Sequence, residues 1–262
     1  MLDHIVERKR QEVARQKRRL PPDYLRELVG LAPPVRAFAA ALRQGEGPRV
    51  IAEVKRASPS RGVLRPTLPP THWSPTELAS QYAAGGARAL SVLTDVTFFW
   101  GHPDWLTEVK EQLTLPVLRK DFLLEPYQVD EARWLGADAV LLIASILDQH
   151  MLHACAQRAR DLGMDVLVEV HADAELPLAL DVPGAVIGIN HRNLHTMSMD
   201  MERSARLLEQ IPPERVVVAE SGVARREVVQ GLMARGIRAF LVGEHLAASS
   251  HPVEALRELR SA

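Results

Sequence analysis

The sequence has a single cysteine and no long apolar run. One cysteine excludes an internal disulfide and fits a reducing compartment, so we expect a cytoplasmic protein. Cys155 lies in the helical segment HMLHACAQRARDLG, where packing is a more common role than catalysis. A membrane-spanning helix needs about 20 predominantly apolar residues, so we also expect no membrane insertion.

Neither sign of charge predominates, because 32 Lys and Arg stand against 33 Asp and Glu. This balance gives no global attraction for nucleic acid or an anionic membrane. The N-terminal segment MLDHIVERKRQEVARQKRRL is nevertheless basic, and Leu2, Ile5, Val6 and Val13 fit one face of a helix. It lacks the apolar core of a signal peptide. We interpret its basic face as solvated rather than as a nucleic-acid site, because acidic residues interrupt it and no aromatic residue is interleaved.

The ten histidines show no metal-ligand spacing, since neither H-E-x-x-H nor a His and Cys cluster occurs. The segment VIAEVKRASPSRG also lacks the G-x-G-x-x-G turn of a dinucleotide-binding sheet. The sequence therefore predicts no metal site and argues against an open doubly wound sheet.

Eight short runs rich in Val, Ile and Leu recur along the chain. Most do not alternate with polar residues, which is typical of parallel strands buried on both faces. Helical segments ending near glycine lie between them. Eight βα units close a (β/α)₈ barrel, which 262 residues can form as one domain. The runs are 50–54, 89–93, 116–120, 139–143, 166–170, 185–189, 216–220 and 239–243.

Residues 1–48 precede the first predicted strand and read as two helices without a Gly/Ser linker. We expect a helical extension packed on the barrel, within a single domain spanning 1–262. The connection 55–75 is long and rich in proline. Such a loop inside a compact domain indicates a functional lid.

Charged and polar residues follow the predicted strands, where barrel enzymes carry their catalytic groups. Any one of these residues could equally be a loop residue in a solvated ion pair. Several amines and carboxylates around one rim favour a catalytic role, because they shift each other's pKa values. The ring comprises Glu53, Lys55, Thr94, Asp95, Lys120, Asp121, Glu169, Asn190, Arg192, Glu220, Ser221 and Glu244.

Two glycines follow the last two predicted strands, in AESGV and LVGEHL. Barrels frequently bind phosphate at these loops through backbone N–H groups, so Gly222 and Gly243 predict a phosphate site with Ser221 beside it. Arg192 suits a carboxylate. Phe99 and Phe122 could line an apolar wall for an aromatic ring, although core packing is the alternative for Phe122.

Several of these motifs together resemble the indole-3-glycerol phosphate synthase family. They are IAEVKRASPSRG, SVLTD with FFWG, PVLRKDF, GADAVLLIASIL, LVEVH, IGINHRNL, AESGV and FLVGE, and they cover all eight predicted strands in order. The resemblance implies a barrel whose N-terminal helical segment lies over the active-site mouth. It also implies ring closure, decarboxylation and dehydration of 1-(2-carboxyphenylamino)-1-deoxyribulose 5-phosphate, with no cofactor or metal.

The resemblance implies roles for individual residues. Lys120 would be the acid of ring closure, with a pKa lowered by burial, and Glu169 would stabilise the positive intermediate. Lys55 and Glu53 would serve dehydration, although the resemblance does not assign Lys120 and Lys55 to particular steps. Asn190 and Glu220 would hold the network and the substrate hydroxyls. Further substrate contacts would be Ser58, Phe99, Phe122, Leu141, Arg192 and Ser221, and phosphate contacts would be Lys55, Ser58, Gly222, Gly243 and Glu244.

The sequence departs from the family pattern at His191, His245 and the long connection LRPTLPPTHWSP. One alternative is another phosphate-binding barrel enzyme in which Lys120 forms a Schiff base, as in an aldolase. A second is a binding module whose basic N-terminal helix contacts nucleic acid. Our main prediction has a small-molecule substrate, no nucleic-acid partner, and a monomer or weak homo-oligomer.

Overall fold

The computed structural model describes residues 2–59, 61–65, 73–193 and 198–262, in which eight parallel strands close into a barrel. The strand order around it is β1-β10-β9-β8-β7-β6-β5-β4. A separate antiparallel hairpin, which the sequence did not predict, is formed by β2 (Ala57–Ser58) and β3 (Gly62–Val63). The barrel strands are β1 (Arg49–Val54), β4 (Ala89–Leu93), β5 (Val117–Lys120), β6 (Ala139–Ile143), β7 (Asp165–Val170), β8 (Val186–Asn190), β9 (Val217–Glu220) and β10 (Ala239–Val242).

Helices connect the strands, so the predicted (β/α)₈ architecture is confirmed. After β1 they are α4 (Pro75–Gly85), α5 (Val96–Phe99), α6 (Pro103–Gln112), α7 (Pro126–Trp134), α8 (Gln149–Asp161), α9 (Leu176–Leu180), α10 (Arg203–Leu208), α11 (Arg226–Ala234), α12 (Glu244–Ala248) and α13 (Pro252–Arg260). α4 shows why the boundaries were predictable. The Ser74 hydroxyl accepts the Glu77 N–H at its start, and Gly86 ends it with a φ of 92°.

Successive side chains of each barrel strand point to opposite faces, which builds two apolar layers. Leu118, Leu141 and Leu167 fill the barrel interior. Val140 and Val168 pack outward against the helices. Because the interior is filled with side chains, the cavity that can accept a ligand lies at the strand ends.

Cys155 lies in the outer layer, fully buried. Burial raises the pKa of its thiol to about 12, with a smaller contribution from Glu125. A thiol in this environment is unreactive, which confirms the predicted packing role.

The N-terminal extension contains three helices rather than the two that were predicted. They are α1 (Leu2–Arg19), α2 (Pro22–Val29) and α3 (Phe38–Arg43). Leu2 and Ile5 of α1 pack with the barrel interior and line the cavity at the strand ends. Lys9 is only 2 % exposed, so the interpretation of the basic face as solvated is wrong at this residue.

Across the described segments, no helix combines the length and apolar character that a membrane span requires.

Candidate active site

A cavity of about 420 Å³ opens at the carboxyl ends of the barrel strands, under the N-terminal end of α1. It brings together the residues to which the resemblance gave an individual catalytic or binding role. These are Glu53, Lys55, Ser58, Phe99, Lys120, Phe122, Leu141, Glu169, Asn190, Arg192, Glu220, Ser221, Gly222, Gly243 and Glu244. Thr94 and Asp95 of the predicted ring do not line it. Parallel strands place their carboxyl ends at one rim, which explains how positions so far apart in sequence converge.

Lys120, at the end of β5, is the centre of the charged cluster. Its Nζ lies 2.7 Å from Glu169 Oε2 and 3.8 Å from Glu220 Oε2. The other Glu169 oxygen, Oε1, accepts a hydrogen bond of 3.0 Å from Asn190 Nδ2. One amine is thus held between carboxylates that come from two other strands, with the cavity in front of it.

The protonation state of Lys120 differs from our expectation. Burial alone lowers the pKa of its ammonium, but the carboxylates of Glu169, Glu220 and Glu53 outweigh that effect and raise the pKa above its ordinary value. The prediction of a lowered pKa is therefore wrong. Lys120 is a cation at neutral pH, in the state from which it can donate a proton.

The two carboxylates that flank Lys120 are shifted in opposite directions. Burial opposes ionisation of Glu169, but Lys120 and His171 hold the pKa of its carboxyl well below the ordinary value. Burial and the neighbouring Glu169 charge raise the pKa of Glu220 well above the ordinary value. The environment thus moves the pKa values of two neighbouring carboxyl groups apart, a pattern typical of acid–base sites.

A second amine–carboxylate pair lies on β1 and just beyond it. Lys55 Nζ is 2.6 Å from Glu53 Oε1, and both side chains are buried. A Cβ atom added at Gly243 would lie 2.2 Å from Glu53 Oε1 and 2.8 Å from Lys55 Nζ. Gly243 therefore makes room for this pair as well as standing at the predicted phosphate loop.

The predicted phosphate side of the cavity is built from the turns after β9 and β10. Ser221 and Gly222 are both left-handed, with φ of 61° and 73°. A non-glycine residue in this region is strained, a feature that clusters at functional sites. The Glu244 carboxylate accepts from Ser58 Oγ at 3.2 Å and lies 3.4 Å from Arg192 Nη2, so its side chain is directed to these partners.

An apolar wall faces the charged cluster. The rings of Phe99 and Phe122 lie with centroids 6.1 Å apart, and Leu141, Leu2 and Ile5 line the same cavity. A site with one apolar wall, a charged cluster and glycine turns suits a ligand that carries a ring, reactive oxygens and an anionic end.

The family model for indole-3-glycerol phosphate synthase matches residues 2–259. The chain belongs to the indole-3-glycerol phosphate synthase family. The family is one of enzymes of tryptophan biosynthesis that act on a small-molecule substrate.

Solved structures with the same fold are distant in sequence. The chain resembles 3-hexulose-6-phosphate synthase from Salmonella typhimurium at 12% identity and a TM-score of 0.64, covering 81% of this chain and 97% of that one. It resembles KGPDC from Streptococcus mutans at 12% identity and a TM-score of 0.60, covering 82% and 97%. It resembles thiamine phosphate pyrophosphorylase from Pyrococcus furiosus at 14% identity and a TM-score of 0.57, covering 81% of this chain and 94% of that one. These likenesses support the barrel fold alone.

Sequence reasoning missed His171 and Gly188, which shape the charged part of the indole-3-glycerol phosphate synthase site. His171 Nε2 lies 2.6 Å from Glu169 Oε1, and its Nδ1 lies 3.0 Å from the Arg192 carbonyl. A residue two positions after Glu169 projects to the same side of the strand, so the spacing was an available signal. A Cβ at Gly188 would lie 2.3 Å from Glu220 Oε1, so this glycine makes room for Glu220.

The departures from the family pattern have different explanations. His191 is buried beside the cavity, where its Nε2 lies 2.6 Å from Ser204 Oγ and its Nδ1 lies 3.0 Å from the Ser221 carbonyl. It therefore supports the turn after β9. His245 lines the cavity. The predicted lid 55–75 includes residues 60 and 66–72, and the connection 64–75 includes residues 66–72. These residues lie outside the described part of the chain.

The described residues contain no group of three or more His, Cys, Asp or Glu side chains that could hold a metal ion.

Proposed function

We propose that the chain is a carboxy-lyase that converts 1-(2-carboxyphenylamino)-1-deoxyribulose 5-phosphate to indole-3-glycerol phosphate, carbon dioxide and water. The observation that carries the proposal is the position of the Lys120 ammonium, 2.7 Å from Glu169 at the rim of a cavity that has an apolar wall and glycine turns. The aromatic ring of this substrate would lie against the apolar wall, its ribulose chain beside Lys120 and Glu169, and its phosphate at the glycine turns.

Ring closure is the first step in the proposed sequence. The aromatic carbon that bears the carboxylate attacks the ribulose carbonyl carbon, and the carbonyl oxygen becomes a hydroxyl group. Lys120 donates the proton, since a developing alkoxide is a stronger base than the amine that remains. Ionised Glu169 stabilises the positive charge that the attack places on the ring and its nitrogen.

Decarboxylation restores the aromatic ring, and dehydration completes the indole. Carbon dioxide leaves with the electrons of its bond returning to the ring. The hydroxyl formed in the first step then leaves as water with a proton supplied by Lys55, while Glu53 accepts the proton lost from the adjacent carbon. The 2.6 Å contact between Lys55 and Glu53 allows the pair to exchange the proton afterwards.

Binding contacts follow the same division of the cavity. Phe99, Phe122 and Leu141 would contact the aromatic ring, and Arg192 its carboxylate. Asn190, Ser58 and Glu220 can hydrogen-bond the ribulose hydroxyls. The backbone at Gly222, Gly243 and Glu244, with Ser221 and Lys55, would bind the phosphate.

The Schiff-base alternative requires a neutral lysine amine as nucleophile. The raised pKa of Lys120, caused by carboxylates that outweigh its burial, disfavours that state. Borohydride added with substrate should therefore leave no stable adduct on Lys120. A covalent adduct at this residue would support the aldolase-like chemistry instead.

The direct test is turnover by the purified chain. Indole fluorescence should appear when the chain meets the anthranilate-derived ribulose phosphate, and carbon dioxide should be released in equal amount. Consumption of substrate without indole, or no consumption by a folded protein, would contradict the proposal. Mass measurement of the purified chain in solution would test our expectation of a monomer or weak homo-oligomer.

A further inference from the structure

A buried lysine on the N-terminal helix makes ion pairs at the rim of the barrel. Lys9 Nζ lies 2.8 Å from Asp121 Oδ1, 3.0 Å from Asp95 Oδ2 and 3.0 Å from Glu12 Oε2. Asp95 and Asp121 follow the neighbouring strands β4 and β5 and are themselves buried. Burial lowers the pKa of Lys9, but these carboxylates outweigh it and hold the pKa above its ordinary value.

Both carboxylates also fix the backbone of a phenylalanine in the apolar wall. Asp95 Oδ1 accepts the N–H groups of Phe98 and Phe99 at 2.7 and 3.2 Å, which starts the short helix α5. Asp121 Oδ1 accepts the N–H of Phe122 at 2.8 Å. The ammonium of Lys9 therefore connects α1 to the two turns that carry Phe99 and Phe122.

The same helix supplies part of the wall directly. Leu2 lies two turns before Lys9 and Ile5 one turn before it, and both line the cavity. His4 packs edge-on against Phe98, with ring centroids 5.7 Å apart. Apart from Leu141 on β6, the apolar wall comes from three segments, α1 and the turns after β4 and β5. Lys9 lies on the first of these segments and forms ion pairs with the other two.

We propose that Lys9 is a positioning residue for the aromatic ring of the substrate, because it fixes α1, Phe99 and Phe122 relative to one another. This inference rests on the proposed function, since it takes the apolar wall as the ring site. Lys9 reaches no reacting atom in the proposed mechanism. Its effect should therefore appear in ligands that carry a ring and be absent from ligands that carry only phosphate.

The test compares Lys9→Met with Lys17→Met. Lys17 is also a cation of α1 in an ion pair, with Glu125, but its side chain is 37% exposed. Lys9→Met should raise KM about tenfold and weaken binding of indole-3-glycerol phosphate by a similar factor, because the ring loses its preformed wall. Inorganic phosphate should inhibit the variant as strongly as the parent. Lys17→Met should match the parent in all three measurements.

A folded Lys9→Met with unchanged KM and product affinity would overturn the proposal. Equal weakening of product and inorganic phosphate would also overturn it, since that result indicates general loosening of the site. If Lys9→Met does not fold, Asp95→Asn is the variant to test in its place. Asparagine can still cap the helix α5, but it removes one of the carboxylates that pair with Lys9. Several-fold weaker product binding with unchanged phosphate inhibition is then expected, and parent-like product binding would refute the role. An inactive parent would instead count against the proposed function.

Discussion

Two of the lysine–carboxylate pairs in the barrel have similar distances and different surroundings. Lys110 Nζ lies 2.5 Å from Asp138 Oδ1, and Lys120 Nζ lies 2.7 Å from Glu169 Oε2. Asp138 also accepts the backbone N–H groups of Arg36 at 2.6 Å and Val117 at 2.8 Å, and Lys110 also donates to the Pro34 carbonyl. The first pair therefore holds segments of backbone together, whereas the second borders a cavity.

The pKa shifts of the two lysines reflect this difference. Burial lowers the pKa of Lys110, and although Asp138 opposes this, nearby Arg36 and Arg133 add to the lowering. The carboxylates of Glu169, Glu220 and Glu53 outweigh burial and raise the pKa of Lys120. An ion pair by itself thus does not identify a catalytic lysine. The surplus of carboxylates and the adjoining cavity distinguish Lys120.

Replacing each lysine by methionine should give the largest difference between the two pairs, in kcat for one and in stability for the other. Lys120→Met should lower kcat by at least about a hundredfold, the low end for loss of a general acid. Glu169 keeps His171 and Asn190 as partners, so the fold should persist. Lys110→Met should leave kcat per folded molecule unchanged but cost about 3–5 kcal/mol of unfolding free energy, because Asp138 loses its cation.

Kinetics and denaturant unfolding of both variants measure this contrast. Lys120→Met with kcat within a few-fold of the parent would remove Lys120 from the mechanism. A folded Lys110→Met with a large loss of kcat would show that the barrel does not separate structural from catalytic pairs in the way we infer.

The next largest effect is expected when carboxylates that line the cavity are compared with a buried carboxylate that does not. Glu53→Gln and Glu169→Gln should each lower kcat more than they raise KM, because each loses a charge used in the transition state. Glu131→Gln is the matched control, since Glu131 is buried and lies 2.7 Å from Arg119 Nη2 without lining the cavity. It should change stability rather than kcat. If the first two variants changed KM alone, these carboxylates would be binding residues.

Glycine substitutions compare the phosphate turn with a turn elsewhere. Gly222 and Gly184 share a φ of 73°, and a Cβ at Gly184 would meet nothing within 4 Å. A Cβ at Gly222 would lie 2.7 Å from Met201 Sδ and 2.9 Å from Met199 Cε, so Gly222→Ala must shift these side chains at the phosphate turn. It should raise KM several-fold by disturbing that turn, whereas Gly184→Ala should cost only about 1 kcal/mol of stability from backbone strain. Equal KM values for the two variants would count against the phosphate site. Gly243→Val is a poorer test, because its side chain would displace Glu53 and Lys55.

The smallest expected effect is the pH dependence of stability at His171. Burial lowers the pKa of this imidazole, but Glu169 outweighs it and the net shift is upward. A raised pKa contributes stability that is complete below about pH 6.5, the ordinary histidine value, and is lost as pH rises through the folded-state value. The stability difference between the parent and His171→Asn should therefore be larger at pH 6 than at pH 9. A difference that grows with pH would show that the shift has the opposite sign.

Sequence patterns predicted the barrel and the residues that line the cavity for one shared reason. Buried parallel strands read as apolar runs, and their carboxyl ends meet at one rim, so Lys120 and Glu169 could be placed together without coordinates. The direction of the Lys120 pKa shift was not predictable, because it depends on how many carboxylates surround one amine. Lys9 was missed because helical periodicity predicts which face of α1 is apolar, but it does not predict that buried Asp95 and Asp121 lie against the basic face.

The barrel closes where the first strand pairs with the last, and this has a consequence for how activity arises. Ile51 pairs with Leu241 and Ala52 with Val242, so Glu53 and Lys55 meet Gly243 only after almost the whole chain has been brought back on itself. Contacts between such distant parts of a chain carry a high loop-closure entropy and form slowly. During refolding, recovery of turnover should therefore follow the final closure of the barrel. The rate at which activity returns would then measure the rate at which β1 pairs with β10.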